Sequence, residues 1–137
     1  MADFLIADRS MMVLKKSLDL RSQNQQVIAG NIANAETPGY EARKFDFEKG
    51  LRQAMQSPQL QGKTSNPKHL PIGGSSIASV QGEISKVRDT NPLGDGNTVS
   101  LDDEMFDLAE NQLLFEAGAQ MLKKKMGMLK YVAGDGR

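Results

Sequence analysis

The chain has 137 residues, enough for one domain with a modest core. Seventeen basic residues balance seventeen acidic ones, which excludes the basic stripe that draws nucleic acid and the polybasic patch that draws an anionic membrane. There is no cysteine, so disulfides, zinc knuckles and thiol nucleophiles are excluded, and aromatic residues at 5% rule out an aromatic-rich core.

The eight methionines point to adaptable apolar surface. No apolar run approaches the ~20 residues of a membrane helix. Near the start, Phe4-Leu5-Ile6-Ala7 is broken by Asp8 and Arg9 and has no basic leader before it, so no cleaved signal peptide is expected.

Residues 3–36 read as one helix. Phe4, Ala7, Met11, Leu14, Leu18, Arg21, Gln25, Ile28, Ile32 and Ala35 alternate at spacings of three and four, the seam of a heptad repeat. The segment from Arg21 to Gln26 is rich in amides on every face. It is either a solvated stretch or a surface whose amides bond neighbouring subunits. Pro38 ends the pattern, because it lacks an N–H and biases Thr37 away from helical angles. The helix is expected to stop near Ala35 or Glu36. Pro38 and Gly39 then fit the second and third positions of a type II turn, whose third position needs positive φ. Tyr40 follows as an anchor with an apolar ring and a polar tip.

After the turn, Phe45 and Phe47 alternate with charges, and Phe47, Leu51 and Met55 also fit a helical spacing. This predicts an extended lead and a short helix over about residues 46–56, with Asp46 as its N-cap. Residues 57–99 hold Pro58, Pro67, Pro71 and Pro92 among many glycines, and no helical period survives. Ile77 to Val80 and Glu83 to Arg88 are candidate strands of a small hairpin about Gln81-Gly82. Asn91 to Asn97 is dense turn sequence.

Residues 101–133 form the cleanest helix. Ser100 is the N-cap, with Asp103 completing the [ST]-x-x-[DE] pattern. Leu101, Met105, Leu108, Gln112, Phe115, Ala119, Leu122, Met126, Leu129 and Ala133 give an unbroken four-three seam. Acids at 102, 103, 104 and 107 suit the positive helix start, and lysines at 123, 124, 125 and 130 suit its negative end. Gly134 and Gly136 end it. The simplest pairing sets the two long helices against each other, each covering the other's stripe.

The expected fold is therefore mainly α. Long N- and C-terminal helices pair as a coiled coil, and a loop-rich middle carries a short helix and a small β-hairpin. The segments are 1–36, 37–56, 57–99 and 100–137.

Catalytic and metal chemistry is thin. His69 is the lone histidine, lies in a Pro-rich stretch beside Lys68, and reads as solvated or structural. A calcium loop from Asp89 fails, with Leu93 at position five and Ser100 at position twelve. No P-loop, dinucleotide fingerprint, H-E-x-x-H or G-x-S-x-G is present. No enzyme activity, cofactor, metal site, nucleic acid or small-molecule substrate is expected.

Asn31-Ile32-Ala33-Asn34-Ala35 with Thr37-Pro38-Gly39-Tyr40 resembles the N-terminal signature of bacterial flagellar rod and hook proteins. Asp103-Glu104-Met105 and Ala109-Glu110-Asn111-Gln112 are similar to the matching C-terminal segment. The short length, Arg43 through Phe47, and Asp95-Gly96-Asn97 resemble the proximal rod proteins of the basal body. Gly30 departs from the pattern, where Ala or Asn is more usual, and loosens the helix by ~1 kcal/mol relative to Ala.

The resemblance implies a structural subunit exported unprocessed through the flagellar type III apparatus. It also implies helical assembly, with itself and with other subunits, into the periplasm-spanning rod that transmits torque between the membrane ring and the distal rod. Implied partners are other flagellar rod proteins, the MS-ring protein and the flagellar export gate. The residues assigned to the coiled-coil and assembly interface are Met11, Leu14, Leu18, Ile28 and Ile32 with Leu101, Met105, Leu108, Phe115, Leu122, Met126 and Leu129. Asn31 and Asn34 become candidate hydrogen-bonding contacts between subunits. The alternative reading is an export chaperone or a type III secreted protein that binds partners through the same amphipathic helices. Location discriminates: a chaperone stays in the cytoplasm, and a rod protein co-purifies with basal bodies.

Overall fold

A computed structural model of the chain describes residues 2–56, 76–88 and 94–134. The elements in order are α1 (Ala2–Ala33), β1 (Arg43–Asp46), α2 (Glu48–Gln56), a single 3-10 turn (Ile77–Ser79), β2 (Glu83–Lys86) and α3 (Leu101–Ala133). The side chains of residues 1–8, among them Phe4 and Ala7, lie outside the described residues, as do His69, Pro92 and Gly136.

The two long helices run antiparallel. Contacts between them join Ser10 to Lys125, Leu18 to Gly118, Asn24 to Asn111 and Asn31 to Glu104, so each step forward along α1 is matched by a step back along α3. Helix α3 starts where its cap predicts. The Ser100 side chain accepts from the Asp103 N–H at 3.5 Å, and its carbonyl accepts from the Glu104 N–H at 3.0 Å. At the far end the Gly134 N–H donates to the Lys130 carbonyl at 2.9 Å. Helix α1 runs through Gly30 and stops at Ala33, slightly earlier than the proline alone suggests. The chain tightens first, with the Asn34 and Ala35 N–H groups reaching back only three residues to the carbonyls of Asn31 and Ile32.

The middle segment packs along one flank of α1, beside α3. Leu20, Phe47, Ala54, Ile77 and Val80 form its core, with Val13, Phe45 and Leu51 against them. Leu20 is only 1% exposed, and burying a leucine fully contributes ~1.5–3 kcal/mol. Helix α2 begins one residue past the strand, with the Phe47 carbonyl accepting from the Leu51 N–H at 2.9 Å. Asp46 therefore stays in β1, paired with Glu83, and is not the cap.

The sheet has two antiparallel strands, but it is not the local hairpin expected about Gln81-Gly82. Strand β2 pairs with β1, placing Arg43 opposite Lys86 and Phe45 opposite Ile84. Residues Ile77–Ser79 form the 3-10 turn, capped by Ser76, and bury Ile77 in the core. Gly82 has a different task from turning the chain. A Cβ there would lie 2.0 Å from the Phe45 ring, so the missing side chain lets that ring lie across the backbone. Arg21 spans the two layers, its guanidinium 5.5 Å above the Phe47 ring and 3.6 Å from the Glu48 carboxylate.

Candidate functional site

The turn after α1 has the geometry its residues require. Gly39 has φ of +73°, and the Tyr40 N–H donates to the Thr37 carbonyl at 3.2 Å, closing a type II turn over Pro38-Gly39. What the local sequence does not announce is that residues 95–98, just before α3, clasp this turn. Asn97 Nδ2 lies within 2.7–3.0 Å of the carbonyls of Asn34, Ala35 and Thr37, adding a donor to the Asn34 and Thr37 carbonyls that already accept from the Thr37 and Tyr40 N–H groups. The Gly39 N–H donates to the Asp95 carbonyl at 2.9 Å, and the Thr98 N–H to the Tyr40 carbonyl at 3.1 Å. Gly96, with φ of +77°, sits so close that a Cβ would be 3.3 Å from the Gly39 Cα. Thr98 Oγ1 ties in the sheet, accepting from the Ala42 N–H and donating to the Val87 carbonyl.

Asn31 is the hub beneath the turn. It is 1% exposed, and both its amide hydrogens and its oxygen are used. Nδ2 donates to the Arg43 carbonyl at 2.7 Å and to Glu104 Oε1 at 2.9 Å. Oδ1 accepts from the Arg43 N–H at 2.9 Å and from the Tyr40 hydroxyl at 3.4 Å. One side chain thus joins α1, the turn, β1 and α3. Asn34 donates to the Gly30 carbonyl at 2.8 Å and accepts from Thr37 Oγ1. Both asparagines, read from sequence as candidate contacts between subunits, have partners in their own chain, and Asn31 has no bonding capacity left.

Glu104 is buried at the start of α3, and burial is the main reason its pKa is raised. Asp107 and Asp103 push it the same way, while the bond from Asn31 and the charge of Lys44 oppose the shift.

Farther along, Asn24 Nδ2 donates to Asn111 Oδ1 at 3.3 Å, and Asn111 Nδ2 donates to the Arg21 carbonyl at 3.0 Å. Gly118 then meets Leu18, and Lys125 Nζ donates to Ser10 Oγ. The pairing has a rule. Along α1 the column is Ser10, Ser17, Asn24 and Asn31; along α3 it is Glu104, Asn111, Gly118 and Lys125, each spaced by seven. Polar rungs join the long helices at Ser10–Lys125, Asn24–Asn111 and Asn31–Glu104, and between the first two Leu18 packs on Gly118.

The interface residues assigned from sequence distribute accordingly. Ile28 is buried. Met11, Leu14, Leu18, Ile32, Leu108, Phe115, Leu122 and Leu129 are half-buried. Leu101, Met105 and Met126 are 50–55% exposed, and Gln112 and Gln25 are exposed as well. In α3 the leucine column at 108, 122 and 129 faces α1. The second column is one residue away from the apolar one, because Glu104, Asn111, Gly118 and Lys125 occupy it.

Helix α3 consequently keeps much apolar surface. Phe106 and Leu113 are 70% and 68% exposed on the side away from α1, and Leu114, Met121 and Met128 line one flank of the seam. Between α1, α3 and β1 lies an open groove of about 310 Å³ lined by charged side chains of both signs, among them Arg21, Arg43, Lys44, Glu48 and Asp107. Among the described residues no cluster of His, Cys, Asp or Glu could hold a metal ion, and no helix is long and apolar enough to cross a membrane.

A signature turn clasped at the junction of two long, antiparallel terminal helices defines a class: residues 16–40 match the flagella basal body rod protein family. The flagellar basal body rod protein FlgB of Salmonella typhimurium is 33% identical over 133 residues, covering 93% of this chain and 95% of its own. FlgB of Aeromonas hydrophila is 30% identical, covering 93% and 96%, and FlgB of Escherichia coli K12 is 32% identical, covering 89% and 91%. The chain belongs to the FlgB family of flagellar basal body rod proteins, structural components of the rod in the basal body.

Proposed function

We propose that the chain is a subunit of the proximal rod that assembles helically, with copies of itself and with other rod proteins, and passes torque from the membrane ring toward the distal rod. The carrying observation is the surface of α3. Apolar side chains occur on its seam, both flanks and its outer side, yet among the described residues its one long partner is α1. A helix whose apolar residues extend well beyond the stripe its partner covers calls for further partners, and neighbouring subunits supply them. Exposed Leu101, Met105 and Met126 are then assembly contacts, while Ile28, Leu18 and Leu122 hold the subunit's own helix pair. The MS-ring protein, the export gate and other rod proteins are the partners that fit a base-of-rod position, reached by flagellar export without a cleaved signal peptide.

The test uses the flank, not the seam. Met121→Asp with Met128→Asp leaves the α1 contact intact, so the purified variant should keep wild-type helicity and melting temperature. A strain carrying it should lack rods and be non-motile. A motile strain with normal basal bodies would overturn the proposal. Leu122→Asp should also abolish motility, but through the helix pair itself, with a lowered melting temperature.

A further inference from the structure

The outer side of α3, opposite α1, carries two columns of charge at seven-residue spacing. One includes Asp102, Glu116 and Lys123; the other includes Asp103 and Lys124, with Glu110 between them at the edge of the groove shared with β1. Phe106 and Leu113 lie between the columns. All of these side chains are exposed, and none of the charged ones forms an ion pair with a described residue. The segregation along the helix is complete: no basic residue precedes Lys123 in α3, and no acidic residue follows Glu116. The helix dipole explains acids in the first turn and Lys130 in the last, but its influence fades within one turn. It does not account for Glu110, Glu116, Lys123 or Lys124.

We propose that this face binds the same face of a second copy, with the two α3 helices parallel and displaced by about three heptads, roughly 30 Å at 1.5 Å per residue. The displacement sets Lys123 and Lys124 of one copy beside Asp102 and Asp103 of the next. It also sets Gly127 opposite Phe106, leaving room for the ring. Parallel pairing without displacement places acid on acid and lysine on lysine, which complementary surfaces avoid. Antiparallel pairing would satisfy the charges too, but it closes into a two-fold dimer and brings Leu113 against itself. The displaced parallel contact is head-to-tail and stays open, so it can repeat. This inference rests on the assembly reading above and adds the partner, the face and the offset.

The absence of cysteine makes the geometry directly testable in the full chain. Self-association is measured by sedimentation at low and high salt, with circular dichroism confirming that each variant is folded. Asp102→Lys with Asp103→Lys, and separately Lys123→Glu with Lys124→Glu, should each weaken association at least ~10-fold at low salt, where exposed charges are least screened. All four changes together should restore it to within ~3-fold of wild type. Phe106→Cys mixed with Gly127→Cys should form a disulfide between copies, and Leu113→Cys alone should not. Indifference to charge reversal, failure of the fourfold swap to rescue, or a Leu113→Cys dimer would overturn the offset contact while leaving assembly standing. A wild-type chain that stays monomeric at every salt concentration would overturn the assembly reading and this inference with it.

Discussion

The two ends of the helix pair are built differently. At the end near the turn, Asn31 spends its whole bonding capacity inside the chain, the Asn97 amide reaches three carbonyls of the turn, and Glu104 is buried. At the other end, among the described residues, Lys125 bonds Ser10 across the helix pair, and Met126, Met128, Tyr131 and Val132 are 55–75% exposed. The first end is complete in one molecule. The second presents apolar surface that the described residues leave uncovered. The contrast separates what makes the subunit from what subunits make together. Residues of the signature turn serve the former, although a conspicuous motif invites reading as an external contact.

Breaking the finished end should have the largest effect. Asn31→Ala strands the Arg43 backbone groups and leaves the buried Glu104 without its donor. The expected loss is about 3 kcal/mol or more, since each buried group left unsatisfied costs ~1–3 kcal/mol. Urea denaturation of the purified variant reads it directly, and a loss under about 1 kcal/mol would mean that the hub is not what holds this end.

A subtler change sharpens the comparison through pH. Glu104 keeps its proton to higher pH in the folded chain than in the unfolded one. Across the window from the ordinary glutamate value up to the raised one, the folded state therefore binds more protons, and stability from this group grows as pH falls. Glu104→Gln keeps an acceptor for Asn31 but cannot titrate. The variant should gain least from acidification, so its advantage over wild type shrinks as pH falls from neutral toward that window. Denaturation midpoints over a pH series check the slope, and parallel curves for the two proteins would remove Glu104 as the source.

The smallest effect is expected at the open end. Lys125→Ala removes one half-buried bond, and because a partly solvated contact contributes little, stability should change by less than about 0.5 kcal/mol. A loss matching that of Asn31→Ala would erase the distinction between the ends.

Much of this architecture was legible in the residues. Pro38-Gly39 specified its turn type, Ser100 its cap, and the apolar spacing of 101–133 its helix. The pairing of the terminal helices followed from each having a stripe to cover. The phase of the α3 seam was legible only in part. Counting apolar residues finds Leu108, Phe115, Leu122 and Leu129, then continues to Met105 and Met126. The chain instead uses Glu104, Asn111, Gly118 and Lys125, which a hydrophobic count passes over. The available signal lay in α1, where Ser10, Ser17, Asn24 and Asn31 repeat every seven residues and predict polar or small partners. The strand pairing was beyond local reading. Strand β2 finds β1 across residues 47–82, and no periodicity within either strand names a distant partner. The clasp by Asn97 was hidden for the same reason: the carbonyls of a turn can be met from anywhere in the chain.

The bond between Asn31 and Glu104 spans 73 positions, and the three from Asn97 span 60 to 63. A chain made or threaded from its N-terminus must therefore deliver about three-quarters of its length before the first helix end can be closed. Until residues 95–104 arrive, Asn31 has only its partners at Tyr40 and Arg43, and water must stand in for Glu104 and for the Asn97 amide on the turn. The motif that marks the protein so early in its sequence is among the last parts able to set, with the slow, non-local closure that such distant contacts impose.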